Sequence, residues 1–449
     1  MSLPAYPAYR ESGVPWLGRV PAHWNLTRLR FIAHFNPSKS EIGSLPPETE
    51  VSFLPMDAIG DDGSLRLDAT RPLNAVEQGY TYFRDGDLLI AKITPCFENG
   101  KGALAAGLHG GIGFGTTELI VVRPLPGRAV AAYLQWLFVG PDFRNAGTAA
   151  MYGAGGQKRV PDEFVRNFVV AVPPPAEQRA IAAFLDRECG KIDALVAEQD
   201  RLIALLKEKR QAVISHAVTK GLDPSAPMKD SGVPWLGRVP AGWGVALVKS
   251  VASCNDDVLP EDTTPDQIIE YVEISDVEAD RGITRRSAMA FGDAPSRARR
   301  RVRPGDVLVS TVRTYLRAIA TVPEDCDALV VSTGFAVFRP RRVHPRFLSY
   351  VFYSEYLISE IIARSVGVSY PAINASEIAR LPIPLPPPAE QRAIAVFLDR
   401  ATGEIDTLTT EAERAIVLLK ERRAALISAA VTGKIDVRGL VPAEEAAAA

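Results

Sequence analysis

The densest run of one chemistry in the sequence lies between Arg281 and Arg317, where ten arginines stand against only Asp293 and Asp306. Its centre is "SRARRRVRPGD", with Arg297, Arg299, Arg300, Arg301 and Arg303. "STVRTYLRA" follows and adds Arg313, Tyr315 and Arg317 among the hydroxyls of Ser310, Thr311 and Thr314. A guanidinium meets a phosphate or a guanine edge with two parallel hydrogen bonds, so this composition points to a polyanionic partner. The competing reading is a solvated charged face, the usual fate of a charge run. The preceding stretch, Asp256 to Asp280, holds ten acidic residues and no basic one, so the net charge of −2 hides a sharp segregation.

A weaker candidate of the same kind sits earlier in the chain. "KITPCFENGKGA" supplies Lys92, Thr94 and Lys101, and "GAGGQKRVP" supplies Gln157, Lys158 and Arg159 behind a glycine loop. Glycines let a backbone approach a phosphate closely, and glutamine is a good reader of adenine. Farther on, "SVGVSYPAIN" puts Ser369, Tyr370 and Asn374 where the first stretch has basic residues. Taken singly, such a turn reads as an ordinary loop.

Bond-making chemistry is not legible. There is no GxxxxGK[ST], "GGIGFGTTE" fails GxGxxG, and no Asn-Pro-Pro-aromatic or Asp-Pro-Pro-Tyr tetrapeptide occurs. His23, His34, His109, His216 and His344 form neither HxH nor HExxH, and Cys96, Cys189, Cys254 and Cys326 form no CxxC. No Ser/His/Asp arrangement can be argued. The expectation is a binder without catalytic residues, metal or cofactor of its own. Apolar content of 47% and charged content of 23% describe a soluble globular protein, and no apolar run approaches the ~18 residues a membrane helix needs. The N-terminus lacks a signal pattern, and scattered thiols fit a reducing cytoplasm.

The elements that must position these residues are written twice. "ESGVPWLGRVPAHW" (11–24) returns as "DSGVPWLGRVPAGW" (230–243), and "PPPAEQRAIAAFLDR" (173–187) as "PPPAEQRAIAVFLDR" (386–400). "AVISHAVTKG" from Ala212 answers "ALISAAVTGK" from Ala425. The offsets are 219 and 213 residues, far too long for a solenoid, so a whole domain with its linker is duplicated. Between these ends only islands match: "FRDGDLLIAKI" with "VRPGDVLVSTV", and "TTELIVVRP" with "VSTGFAVFRP". These short apolar runs between Gly-Asp and Arg-Pro turns read as the retained strands of one small mixed domain, present twice.

After each proline run a short amphipathic helix is expected to pause near Gly190 or Gly403 and give way to a longer one. The spacing of Ile192, Leu195, Leu202, Leu206 and Val213, and of Ile405, Leu408, Leu419 and Leu426, predicts a packed seam. Its natural partner is the twin helix, antiparallel about a pseudo-twofold axis. From Ile192 to Ala217 is 26 residues, or ~39 Å, about the length of one turn of duplex DNA. Two readers one turn apart is the spacing of dimeric DNA-binding proteins.

The order "SGVPWLGRVPxxW", variable domain, "PPPAEQRAIAxFLDR", long helix, "AVTKGL", written twice, closely resembles the specificity subunit of type I restriction–modification enzymes. The resemblance covers nearly the whole chain. It implies an α+β protein with two target-recognition domains joined by two long antiparallel coiled-coil helices. The corresponding boundaries are 1–172 for the opening motif and first domain and 173–221 for the first helix region. Residues 222–385 hold the linker, repeated motif and second domain, and 386–440 the second helix region. Residues 441–449 read as a disordered tail. The resemblance further implies that each domain reads one half of a split double-stranded DNA target. Two methyltransferase (modification) subunits would bring S-adenosylmethionine, and motor-nuclease subunits, when present, would bring ATP and Mg2+. "AVTGKID" in the second copy, where the first has "AVTKGLD", is a modest departure. A stand-alone bipartite DNA-binding regulator is the alternative, and a fused methyltransferase or nuclease a third.

Overall fold

The computed structural model describes residues 3–154, 156–279 and 281–442. Each sequence copy folds its variable part into two four-stranded sheets. In the first copy one sheet has the order Thr70–Pro72, Glu50–Leu54, Ile112–Gly115, Thr81–Arg84, and the other Ala33–Phe35, Leu119–Pro124, Leu88–Ala91, Gly102–Leu104. The second copy repeats both orders. One sheet is Ser287–Ala290, Ile268–Val272, Leu329–Ser332, Ala298–Arg301; the other is Ala252–Cys254, Phe335–Pro340, Val307–Ser310, Ile319–Thr321. Each copy has one parallel pair, Glu50–Leu54 with Ile112–Gly115 and Ile268–Val272 with Leu329–Ser332. The islands retained between the copies supply central strands. Leu88–Ala91 and Val307–Ser310 are buried along their whole length, which is why they read as unbroken rather than alternating apolar runs.

The chain forms two compact units, residues 1–199 with 415–449 and residues 200–414. Each unit holds one sheet domain, the start of its own long helix and the end of the other copy's helix. In the first unit Ile427, Ala430 and Val431 join the core of Tyr133, Leu134 and Phe143. In the second, Ile214, Ala217 and Val218 join the core of Phe347, Tyr350 and Phe352.

The long helices run without a break, Pro175–Lys220 over 46 residues and Pro388–Val431 over 44, so the expected pauses at Gly190 and Gly403 do not occur. A glycine costs a helix interior only about 1 kcal/mol, which the packing of a long seam offsets. The seam itself lies one face away from part of the leucine pattern. Cys189, Ile192, Val196, Gln199, Ile203, Leu206, Arg210, Val213 and Ala217 are all buried or half-buried, at strict three-four spacing. Thr402, Ile405, Thr409, Ala412, Ile416, Leu419, Arg423, Leu426 and Ala430 repeat the pattern 213 residues later. This 3.5-residue period is that of a coiled coil. Ile192, Leu206, Val213, Ile405, Leu419 and Leu426 lie on this buried row, whereas Leu195, Leu202 and Leu408 are 51%, 42% and 49% exposed. The seam admits Gln199, Thr409 and two arginines, so hydrophobicity alone picks the wrong neighbouring face. Within each unit the helix segments pair antiparallel through an equivalent ion pair: Arg423 Nε to Asp193 at 2.9 Å in the first, Arg210 Nε to Asp406 at 2.9 Å in the second.

The doubled motifs grip one another. Trp24, fully buried, donates its indole N–H to Glu177 Oε1 at 2.9 Å, and Trp243 does the same to Glu390 Oε2 at 2.9 Å. Tyr6 and His23 also converge on Glu177. Gln178 Oε1 accepts from Val130 N and Gln391 Oε1 from His344 N, each tying the start of a long helix to its domain. Gly433, at φ +73°, ends the second helix against Pro21, where a Cβ would lie 2.4 Å from Cδ. Gly221, at φ +76°, meets Trp243 in the same way. The opening motif and the proline-helix motif thus form one joint, needed once per domain.

Candidate nucleic-acid interface

The sheet frame fixes two loops at one end of each domain. In each copy the Gly-Asp turn and the Arg-Pro turn are tied by an inward ion pair. Asp87 takes Arg123 Nε at 2.6 Å and Nη2 at 2.7 Å; Asp306 takes Arg339 Nε at 3.0 Å and Nη2 at 2.8 Å. Both carboxylates are buried, and each also accepts a backbone N–H at 2.9 Å, from Arg84 and Arg303. The Asp87 carboxylate and its other partner Glu41 hold the Arg123 guanidinium above the usual arginine range. Asn36 and Asn255, at φ 49° and 60°, each accept from the neighbouring strand at 2.9 Å, from Val121 N and Val337 N. These are the sequence islands, and their role is to hold the frame.

At the far end of the strand that follows the Gly-Asp turn, the two loops singled out in each copy meet. In the first domain Ile93 bridges Arg159, and Tyr152 bridges Arg159 as well. Thr94 N and Oγ1 both donate to Lys158 O, and Val160 N donates to Lys92 O. Lys92, Thr94, Gln157, Lys158 and Arg159 thus share one ledge. Gln157 and Lys158 are exposed on it. Arg159 is committed to Glu118, with Nη2 at 2.7 Å, and this pair pulls the Glu118 carboxyl below its usual range. Lys92 lies 3.8 Å from Asp162. Lys101 points elsewhere and donates to Met56 O at 3.1 Å. Beneath the ledge Arg144, 8% exposed, donates to the carbonyls of Phe97, Phe138 and Gly100 at 2.6–3.0 Å, and burial lowers its pKa to about 10. It still carries its charge at neutral pH.

The second domain builds the same ledge from other residues. Val312 and Val366 both bridge Ala372, Arg313 N donates to Pro371 O, and Thr314 Oγ1 meets Ser365 Oγ at 2.7 Å. Arg313 lies 4.6 Å over the Tyr370 ring, and Tyr315, Ser369 and Tyr370 are exposed. Arg313 and Arg317 are both left-handed, at φ 52° and 54°, and flank the turn Thr314–Leu316. Such a conformation costs a side-chain-bearing residue about 1–2 kcal/mol. Arg317 is spent on Glu355, with contacts of 2.6 and 2.9 Å.

The arginine run does not act as one surface. It lies along the edge strand Ala298–Arg301, whose Ala298 end pairs with Ser332 near the ledge and whose Arg301 end pairs with Val330. Arg297 sits at the ledge end, and its carbonyl takes Thr333 N. Arg301 and Arg303 lie at the other end and face Asp257, at 3.8 and 3.2 Å. Arg299 stacks 5.0 Å over Phe291. Arg300 is half-buried with Nε unpartnered, and burial pulls its pKa below the usual arginine range. Arg286 is held by Glu270 and Asp325, and Arg281 by Glu413. Asp257 and Glu270 from the acidic stretch, with Asp325, Glu355 and Glu413 from later in the chain, thus neutralise much of the basic run. Among the described residues, no carboxylate pairs with Arg297, Arg313 or Lys158. Sequence reasoning missed Tyr152, Leu316, Val366 and Val368 on the ledges, although the near-213-residue offset places Tyr152 opposite Val366.

Among the described residues no group of three or more His, Cys, Asp or Glu is placed to hold a metal ion, and no helix is long and apolar enough to cross a membrane. Residues 304–416 match the family described as type I restriction modification DNA specificity domain. The chain is 42% identical over 188 residues to the EcoAI type I specificity subunit of Escherichia coli, and this match takes in 41% of the chain and 31% of that relative. It is 22% identical over 445 residues to the putative MjaX type I specificity subunit of Methanocaldococcus jannaschii, over 91% of the chain and 99% of the relative. Two solved chains share the fold at 21% identity. One, from work on complex assembly and conformational transition of the type I R-M system, has a TM-score of 0.73 over 93% of this chain and 99% of its own length. The other, the HsdS subunit from Thermoanaerobacter tengcongensis, has 0.54 over 93% and 98%. Residues 304–416 thus match a type I specificity domain, the chain as a whole is similar to type I restriction–modification specificity subunits, and the two solved chains share its fold.

Proposed function

We propose that this chain selects the DNA target of a type I restriction–modification enzyme, each domain reading one half of an asymmetric bipartite sequence. The observation that carries the reading is the pair of equivalent ledges on matching sheet frames. One presents Thr94, Gln157 and Lys158, the other Arg313, Tyr315, Ser369 and Tyr370. Matching frames with unlike reading surfaces suit two unlike half-sites. The helix seam sets the unread spacer between them. The chain is the non-catalytic member. Methyltransferase subunits supply S-adenosylmethionine and flip the adenine, and a motor-nuclease subunit, where present, supplies ATP and Mg2+ chemistry. Leu195 and Leu205 on one helix and Leu408 and Leu418 on the other are exposed at the same offset, an apolar face that suits two copies of one docking partner.

The reading is tested by mapping methylated adenines in a host carrying this gene with its partner genes. The expected result is one split motif with unlike halves and a fixed spacer; a continuous or palindromic motif would contradict it. A second expectation separates free from neutralised arginines. Arg313→Ala is expected to lower the slope of log affinity against log salt by about one unit, the mark of a lost phosphate contact. Arg303→Ala, already paired to Asp257, should leave the slope nearly unchanged. Equal slopes for both variants would show that the ledge does not touch phosphate.

A further inference from the structure

The second ledge carries an apolar cluster that charge alone does not explain. Val366 and Val368 are 80% and 101% exposed, Tyr370 62%, and across the shared bridge Tyr315 and Leu316 about half. The backbone is shaped to hold them out. Gly367 between the valines has φ +121°, and a Cβ there would come within 3.0 Å of the Tyr370 carbonyl. The Tyr315–Leu316 turn is flanked by two left-handed arginines. Burial in a core is thus not what these side chains are arranged for. Five residues fall far short of the roughly 20–30 per side that stable protein interfaces use. The rim is cationic, with Arg313 over Tyr370 and Arg297 at the neighbouring strand end. A small aliphatic patch beside unpaired guanidiniums fits the floor of a DNA major groove, where the apolar group on a base edge is the C5 methyl of thymine.

Resting on the DNA-reading role above, we infer that the second domain recognises thymine methyl groups through Val366 and Val368, so that its half-site contains A·T pairs. The first ledge is the built-in contrast. Tyr152 stands in the place of Val366, and Gln157 and Lys158 replace the apolar side chains with hydrogen-bonding ones.

The test uses the assembled complex and duplexes carrying its methylated motif, with thymine replaced by uracil in one half at a time. Uracil lacks only the methyl. Each contacted methyl lost from the half-site of the second domain is expected to weaken binding about three- to fourfold, and uracil in the other half less than twofold. A Val366→Ser, Val368→Ser double variant, at positions too exposed to unfold the domain, should bind thymine and uracil duplexes alike. Overturning results are a half-site without A·T pairs, uracil-insensitive binding, or discrimination that survives in the double variant. A change in oligomeric state of the variant with discrimination intact would mark the patch as a contact between copies of this chain, and overturn the inference too. If the parent complex shows no sequence-specific binding at all, the DNA-reading role falls as well.

Discussion

Replacing Asp306 with alanine is expected to destabilise the second domain by about 3–5 kcal/mol, the cost of leaving one partner of a buried ion pair uncompensated. Asp306 is 1% and Arg339 12% exposed, and the carboxylate takes two guanidinium nitrogens and a backbone N–H. Its loss leaves Arg339 with only the 3.9 Å contact to Asp257 and strands the Arg303 N–H. Against a typical stability of 5–15 kcal/mol for a domain, that is enough to populate unfolded protein at ordinary temperature. Replacing both partners with apolar residues of similar size should recover much of the loss, because the desolvation penalty disappears with the charges. Asp87→Ala should weaken the first domain similarly, since Asp87 and Arg123 form the same pair. Denaturation of the two single variants and the double replacement would check this; a loss below about 1 kcal/mol for Asp306→Ala would mean that the pair does not hold the frame.

The second large effect concerns the helix seam. Inserting two residues after Ile203 rotates everything beyond by ~200° at 3.6 residues per turn and turns Leu206, Val213 and Ala217 out of the seam. That variant should fail to assemble. Seven residues inserted after both Ile203 and Ala412 keep the seam in phase. The two points lie almost opposite each other, as the Arg210–Asp406 pair shows. The insertion adds ~10.5 Å of helix, about three base pairs of duplex. The methylated motif of the seven-residue variant is expected to gain about three bases of spacer with both half-sites unchanged. An active variant with the old spacing would show that the helices do not measure DNA.

Duplication, the sheet islands and the existence of paired helices were all legible in the sequence, because each is a local pattern written twice. The details that failed are those where two patterns share a period or a partner lies far away. Leu195, Leu202 and Leu408 repeat with nearly the seam's own spacing, and only packing reveals that Val196, Ile203 and Thr409 hold the inner face. Gly190 and Gly403 looked like breaks, since the sequence shows the cost of glycine but not the packing that outweighs it. The arginine run looked uniform, yet Asp257, Glu270, Asp325, Glu355 and Glu413 reach it from up to 132 residues away. The ledges were half legible. Their loops were singled out one by one, but nothing local says that Ile93 meets Arg159 or Val312 meets Ala372. The alanine tail falls at the edge of and beyond the described residues.

One domain for each half-site is the central claim, and exchanging a single domain tests it most directly. Residues 248–381 of this chain would be replaced with the matching segment of a relative of different specificity. This leaves Gly244–Leu247 paired with Pro382–Leu385, and Trp243 on Glu390. The methylated motif of a host carrying the hybrid with its partner genes is then read. One half of the motif is expected to change to that of the relative, with the other half and the spacer as before. A motif changed in both halves, or in neither, would contradict the assignment.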